Sequence, residues 1–77
     1  MSGPLTTTLA ELLAARRRVA ALTHEALEAP TVLEATEAVN RLALLGGEAA
    51  RQAVERVADH HPDRHVRLWA QAKEVPS

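Results

Sequence analysis

The sequence predicts an all-α fold: four short antiparallel helices, arranged as a bundle or as a stack of helical hairpins. Three observations carry this. Apolar residues recur at steps of three and four along most of the chain, the period of helices buried along one face. The pattern breaks at three points marked by proline or glycine: Pro30, Gly46-Gly47 and Pro62. The composition also suits helices over strands, with 16 Ala and 11 Leu against 7 Val, Trp69 as the only aromatic, and no Ile. Short loops between such segments make successive helices antiparallel neighbours.

The first helix is expected from Thr7 or Thr8 to Ala29. Its stripe is Leu5, Leu9, Leu12, Leu13, Val19, Leu22, Ala26 and Leu27. Thr8 with Glu11 three residues later has the spacing of a capping box, in which each side chain accepts from the other residue's backbone N–H. Pro30 ends the helix, because the residue before a proline is pushed out of the α region. Thr31 and Glu34 repeat the capping spacing, and Val32, Ala35, Val39, Leu42 and Ala43 carry a second helix to Leu45. Gly46-Gly47 stops it, since glycine takes the left-handed backbone that a helix C-terminus requires. A third helix spans Glu48 to Asp59, with Ala50, Ala53, Val54, Val57 and Ala58 inward. Glu48 lies in its first turn, where negative charge favours the free N–H groups. Pro62 is expected to open a fourth helix, Pro62 to Glu74, with Leu68, Trp69, Ala72 and Val75 on its inner side. Glu37–Arg41, Arg51–Glu55 and Asp63–Arg67 have the i,i+4 spacing of surface ion pairs.

The domain is expected over residues 7–74, with a disordered tail at 1–6 and a frayed one at 75–77. A 77-residue chain is one domain and buries a smaller share of its surface than a larger one. With alanine supplying so many of its apolar side chains, its core must be thin.

The second half resembles a helical repeat of the HEAT type. The residues that carry the likeness are Ala38-Val39-xx-Leu42-x-Leu44-Leu45-Gly46-Gly47-Glu48-Ala49, then Val54-xx-Val57, then Asp63-xx-Val66-Arg67-xx-Ala70. In that family a helix ends in a short glycine-containing turn, a second helix packs back, and the next repeat opens with an acidic residue and a Val-Arg-xx-Ala helix. The likeness covers residues 36–74 at a period of about 30 residues. Trp69 departs from it, standing where the family has a small or aliphatic residue, and the last unit lacks its second helix. The resemblance implies a scaffold for binding partners.

Composition excludes several chemistries. There is no cysteine for disulfides or thiolate ligands and no tyrosine, and the two serines, Ser2 and Ser77, lie in the tails. No secretory signal is visible and the apolar runs fall far short of a membrane span, so a cytoplasmic location is expected. His60, His61 and His65 lie close to Asp59 and Asp63, and two histidines at i,i+4 can share a metal. Pro62 interrupts that spacing and no HExxH pattern exists, so a solvated histidine loop is expected, with no metal and no cofactor.

Arg16, Arg17 and Arg18 form the strongest charge cluster. Three consecutive helical residues cover about 200° of the helix and make no flat basic face. The chain as a whole carries net charge −1, and it has no aromatic but Trp69 on which bases could stack, which argues against nucleic acid. The acidic group Glu25, Glu28, Glu34 and Glu37 lies downstream of the arginines. That polarity suits contact between copies. Trp69 is read either as core or as an interface anchor, with Leu68 beside it.

These readings converge on a non-enzymatic protein–protein interaction module, with Trp69, Leu68 and Arg16–Arg18 as contact candidates and a second copy or another protein as partner. A small DNA-associated regulator using Arg16–Arg18, its second and third helices paired in helix-turn-helix fashion, is the alternative. A weak histidine-based metal binder ranks below both.

Overall fold

The computed structural model describes residues 8–76. Among them lie four helices and no strand: α1 (Leu9–Glu28), α2 (Val32–Leu45), α3 (Gly47–His60) and α4 (Arg64–Ala72). The expected tail at 1–6, Leu5 and Ser77 fall outside the described residues. Two residues of the tail expected at 75–77 are described, and both make contacts. Val75 packs against the core, and the Pro76 carbonyl accepts the Gly47 N–H at 2.7 Å.

The caps follow the local chemistry. Thr8 caps α1 with a full capping box: the Glu11 N–H donates to Thr8 Oγ1 at 3.1 Å, and the Thr8 N–H donates to Glu11 Oε1 at 3.0 Å. At α2 only one half of the expected box forms, the Glu34 N–H donating to Thr31 Oγ1 at 3.2 Å. Gly46 has φ 69° and ψ −179° and Gly47 has φ 86°, so both glycines occupy backbone that L side chains avoid.

The start of α4 differs from expectation. Pro62 precedes the helix, and Asp63 is its N-cap, with Oδ1 accepting from the N–H groups of His65 at 2.7 Å and Val66 at 3.2 Å. A carboxylate that satisfies two free N–H groups outcompetes a proline that satisfies none.

Helix directions follow from which residues meet. Arg16 shares a groove with Ala49 near the start of α3, while Leu27 and Glu28 meet Asp59 and His60 at its end, so α1 and α3 run parallel. Trp69 reaches Asn40, and Pro76 reaches Gly47, two residues past the end of α2, so α4 runs parallel to α2 and antiparallel to α3. The α2–α3 hairpin touches both outer helices, and α1 and α4 do not meet.

The core is thin, as the composition predicts. Its largest fully buried side chains are Leu42, Val39, Val57 and Val66, joined by alanines such as Ala26, Ala35 and Ala50. The expected inner residues of α3 are all buried. In α1, however, the stripe divides. Val19, Leu22 and Leu27 pack against the core, whereas Leu9, Leu12 and Leu13 are exposed. The reason is length: α1 has 20 residues, about 30 Å of helix, against 14 each in α2 and α3. Its first two turns project past the Gly46–Gly47 turn, and the molecule measures 50 × 20 × 17 Å.

Candidate interaction surface

On α4 the buried stripe is Val66 and Ala70, four residues apart. This corrects the expected inner side, since Leu68 and Trp69 are about half exposed and Ala72 is exposed. The flank toward α3 is fastened by polar bonds: Arg67 donates to the carbonyls of His61 at 2.7 Å and Pro62 at 3.1 Å, and Gln71 donates to the Ala58 carbonyl at 3.4 Å. The expected Asp63–Arg67 pair is therefore replaced by guanidinium bonds to the carbonyls just past the C-terminus of α3, where a cation is favoured.

Trp69 occupies the other flank. Its indole Nε1–H donates to Asn40 Oδ1 at 3.0 Å, and the Lys73 ammonium lies 4.6 Å from the ring centroid. Asn40 and Lys73 were not singled out by sequence reasoning. The available signal was spacing: Asn40 interrupts an outward stripe of α2, Leu33–Glu37–Asn40–Leu44, at steps of four, three and four. Leu44 on that stripe is 85% exposed and Leu33 is 69% exposed. The tryptophan is thus held by polar partners yet stays 45% exposed, with exposed leucines on the neighbouring helix.

Comparison with family models, curated proteins and solved structures finds no match to this chain. Its surface has to be read from its own side chains.

The arginine cluster splays as helical geometry requires. Arg16 lines the groove between α1 and α3 with Arg56, while Arg17 and Arg18 are exposed elsewhere on α1. The acidic group is brought together: Glu25, Glu28, Glu34 and Glu37 line a groove of about 420 Å³ between α1 and α2, with Arg41 at its edge. Glu37 and Arg41 do not pair. Of the expected helix-surface pairs, Arg51 alone forms its bridge, to Glu55 and also to Glu48. The Arg51 hydrogen bond holds the Glu48 carboxyl below its usual range.

The histidines separate. His60 and His65 are exposed, but His61, expected in a solvated loop, is only 5% exposed. The Asp63 N–H donates to His61 Nδ1 at 2.9 Å, which places the ring proton on Nε2, a buried atom with no hydrogen-bond partner among the described residues. The ring turns inward because it closes the α3–α4 corner. Among the described residues no group of three or more His, Cys, Asp or Glu side chains could hold a metal ion. Nor is any helix long and apolar enough to cross a membrane.

Proposed function

We propose that this chain is a non-enzymatic helical interaction module that self-associates through apolar side chains its own fold leaves uncovered. The observation that carries this is the projecting half of α1. Every residue from Thr8 to Arg18 is exposed, including Leu9, Leu12 and Leu13. A helix gains most of its stability in water from packing its apolar face, and these turns have nothing to pack on among the described residues. Contiguous apolar surface of this kind marks a contact site. Leu68 and Trp69, both about half exposed, offer a second contact on the opposite side of the hairpin. The resemblance of residues 36–74 to HEAT-type repeats supports the same reading, since such repeats serve as scaffolds.

Sedimentation equilibrium tests it. The expected result is a species heavier than the 8.3 kDa monomer, with a melting temperature that rises with protein concentration. Replacing Leu12 with Asp should return the species to monomer. A monomer at every concentration, with a constant melting temperature, would refute self-association.

A further inference from the structure

We infer that the buried ring of His61 makes the α3–α4 corner a proton-sensitive latch, closed while the imidazole is neutral and released when it gains a proton. The latch works within one copy and does not depend on self-association. Its corner is short: α3 ends at His60 and Asp63 already caps α4, so only His61 and Pro62 lie between them. Pro62 has no N–H to contribute. The chain turns on the bond from the Asp63 N–H to His61 Nδ1 at 2.9 Å. This is the pattern of an Asx turn, in which a side-chain acceptor takes the N–H two residues on, with a ring nitrogen in place of an asparagine oxygen. Asp63, fixed in this way, caps α4 through the N–H groups of His65 and Val66. Only Val66 and Ala70 bury α4 beyond that cap.

A proton on Nδ1 ends the bond that makes this turn. The imidazolium donates from both nitrogens and accepts at neither, so Nδ1–H would face the Asp63 N–H donor to donor. The other donor, Nε2–H, is buried and has no acceptor among the described residues even in the neutral ring. A positive charge makes an unmet buried donor costlier still. The ring is 5% exposed, and it lines a cavity of about 300 Å³ with Ala29, Pro30, Val32 and Val66. It can give both N–H groups to water only by leaving that cavity.

The surrounding charges do not compensate. The α1–α2 corner that faces the ring, Ala29 to Val32, bears no titratable side chain. Glu28 before it is exposed, and Glu34 after it lies in the acidic groove between α1 and α2. On α3, Asp59 and His60 are exposed, as are Arg64 and His65 on α4. Arg67 holds its guanidinium on the carbonyl of His61 itself and opposes a second positive charge there. Asp63 is the one carboxylate beside the ring whose charge favours imidazolium. Its Oδ1 is already taken by the two N–H groups it caps, so an imidazolium that captured it would uncap α4. Either response to a proton undoes the corner.

A proton bound only by the released chain leaves stability intact above the ordinary imidazole value of about 6.5 and lowers it below, by up to about tenfold per pH unit. Trp69, on α4 and bonded to Asn40, reports the release. Denaturant titrations are followed by Trp69 emission at one low protein concentration. The equilibrium constant for release should rise about tenfold from pH 7.5 to pH 5.5, a window in which ordinary carboxylates stay ionised. His61→Asn keeps an acceptor for the Asp63 N–H but does not titrate, and its constant should stay within about twofold over the same window. The triple variant His24→Gln, His60→Gln and His65→Gln leaves His61 as the only histidine and should keep the full effect. It decides the matter by itself if His61→Asn does not fold. A constant that ignores pH in the unaltered chain or in the triple variant would overturn the latch, as would undiminished acid sensitivity in His61→Asn.

Discussion

Gly46 and Gly47 lie next to each other, yet their demands differ. Gly46, at φ 69° and ψ −179°, occupies a region almost closed to residues with a Cβ, and a Cβ there would also stand 3.1 Å from the Pro76 carbonyl oxygen. Gly47 has positive φ but open space around its missing Cβ. Gly46→Ala should therefore cost about 2 kcal/mol or more, and Gly47→Ala about 1 kcal/mol, measured by denaturant unfolding. Equal costs would show that backbone strain alone matters and the Pro76 contact does not. Asp63 makes a separate prediction. Hydrogen bonds from the Val66 and His65 N–H groups hold its carboxyl below the ordinary 3.8. A carboxyl with a lowered folded-state pKa contributes stability that is fully present above its unfolded value and lost as pH falls through the folded one. Thermal melting should thus be insensitive to this group at neutral pH and fall below about pH 4. Asp63→Asn, which caps comparably but does not titrate, should reduce that acid sensitivity.

Among the elements, helix existence was legible wherever chain chemistry is local. Thr8 with Glu11, Thr31 before Val32, and the paired glycines are each read correctly because a cap needs only its own neighbours. Reading fails where a residue's environment is set by another helix. Leu9, Leu12 and Leu13 continue a valid apolar stripe, but whether that stripe is covered depends on how far α2 and α3 extend beside it. The same holds for α4. Of the four apolar residues that periodicity puts inward, Val75 packs against the core, while within the helix the buried pair is Val66 and Ala70, and Leu68, Trp69 and Ala72 are exposed. Asn40 was invisible as a partner of Trp69 because the two lie 29 residues apart. The projecting turns give a direct test. In the monomer, Leu12→Asp should change stability by no more than about 0.5 kcal/mol, since the side chain is half exposed and unpacked. A loss of several kcal/mol in dilute solution would show that these turns pack within the chain.

For the whole molecule the decisive feature is that α1 and α4 never touch. They are linked through an α2–α3 hairpin whose buried side chains are mostly alanine and valine. Val66→Ala, which empties a fully buried site on α4, should cost about 2 kcal/mol. Leu22→Ala, on the partly buried face of α1, should cost somewhat less. Because neither side chain shares a helix interface with the other, the double variant should equal the sum of the singles within about 0.5 kcal/mol. A larger departure in denaturant unfolding would mean that the hairpin shifts as a body when either outer helix loosens.

The single tryptophan also makes the molecule optically lopsided. Its indole is on α4 and bonded to α2, so intrinsic fluorescence watches one seam of the structure and is blind to α1. Were α4 to detach before the rest, the emission would shift toward that of free tryptophan while most of the helical ellipticity persisted, and the two signals would trace separate curves. Coincident curves would mean that a chain with so small a core still melts as one cooperative unit. The same blindness is useful: any change in Trp69 emission on mixing copies reports on the α2–α4 side alone, and pairing through α1 should leave it unmoved.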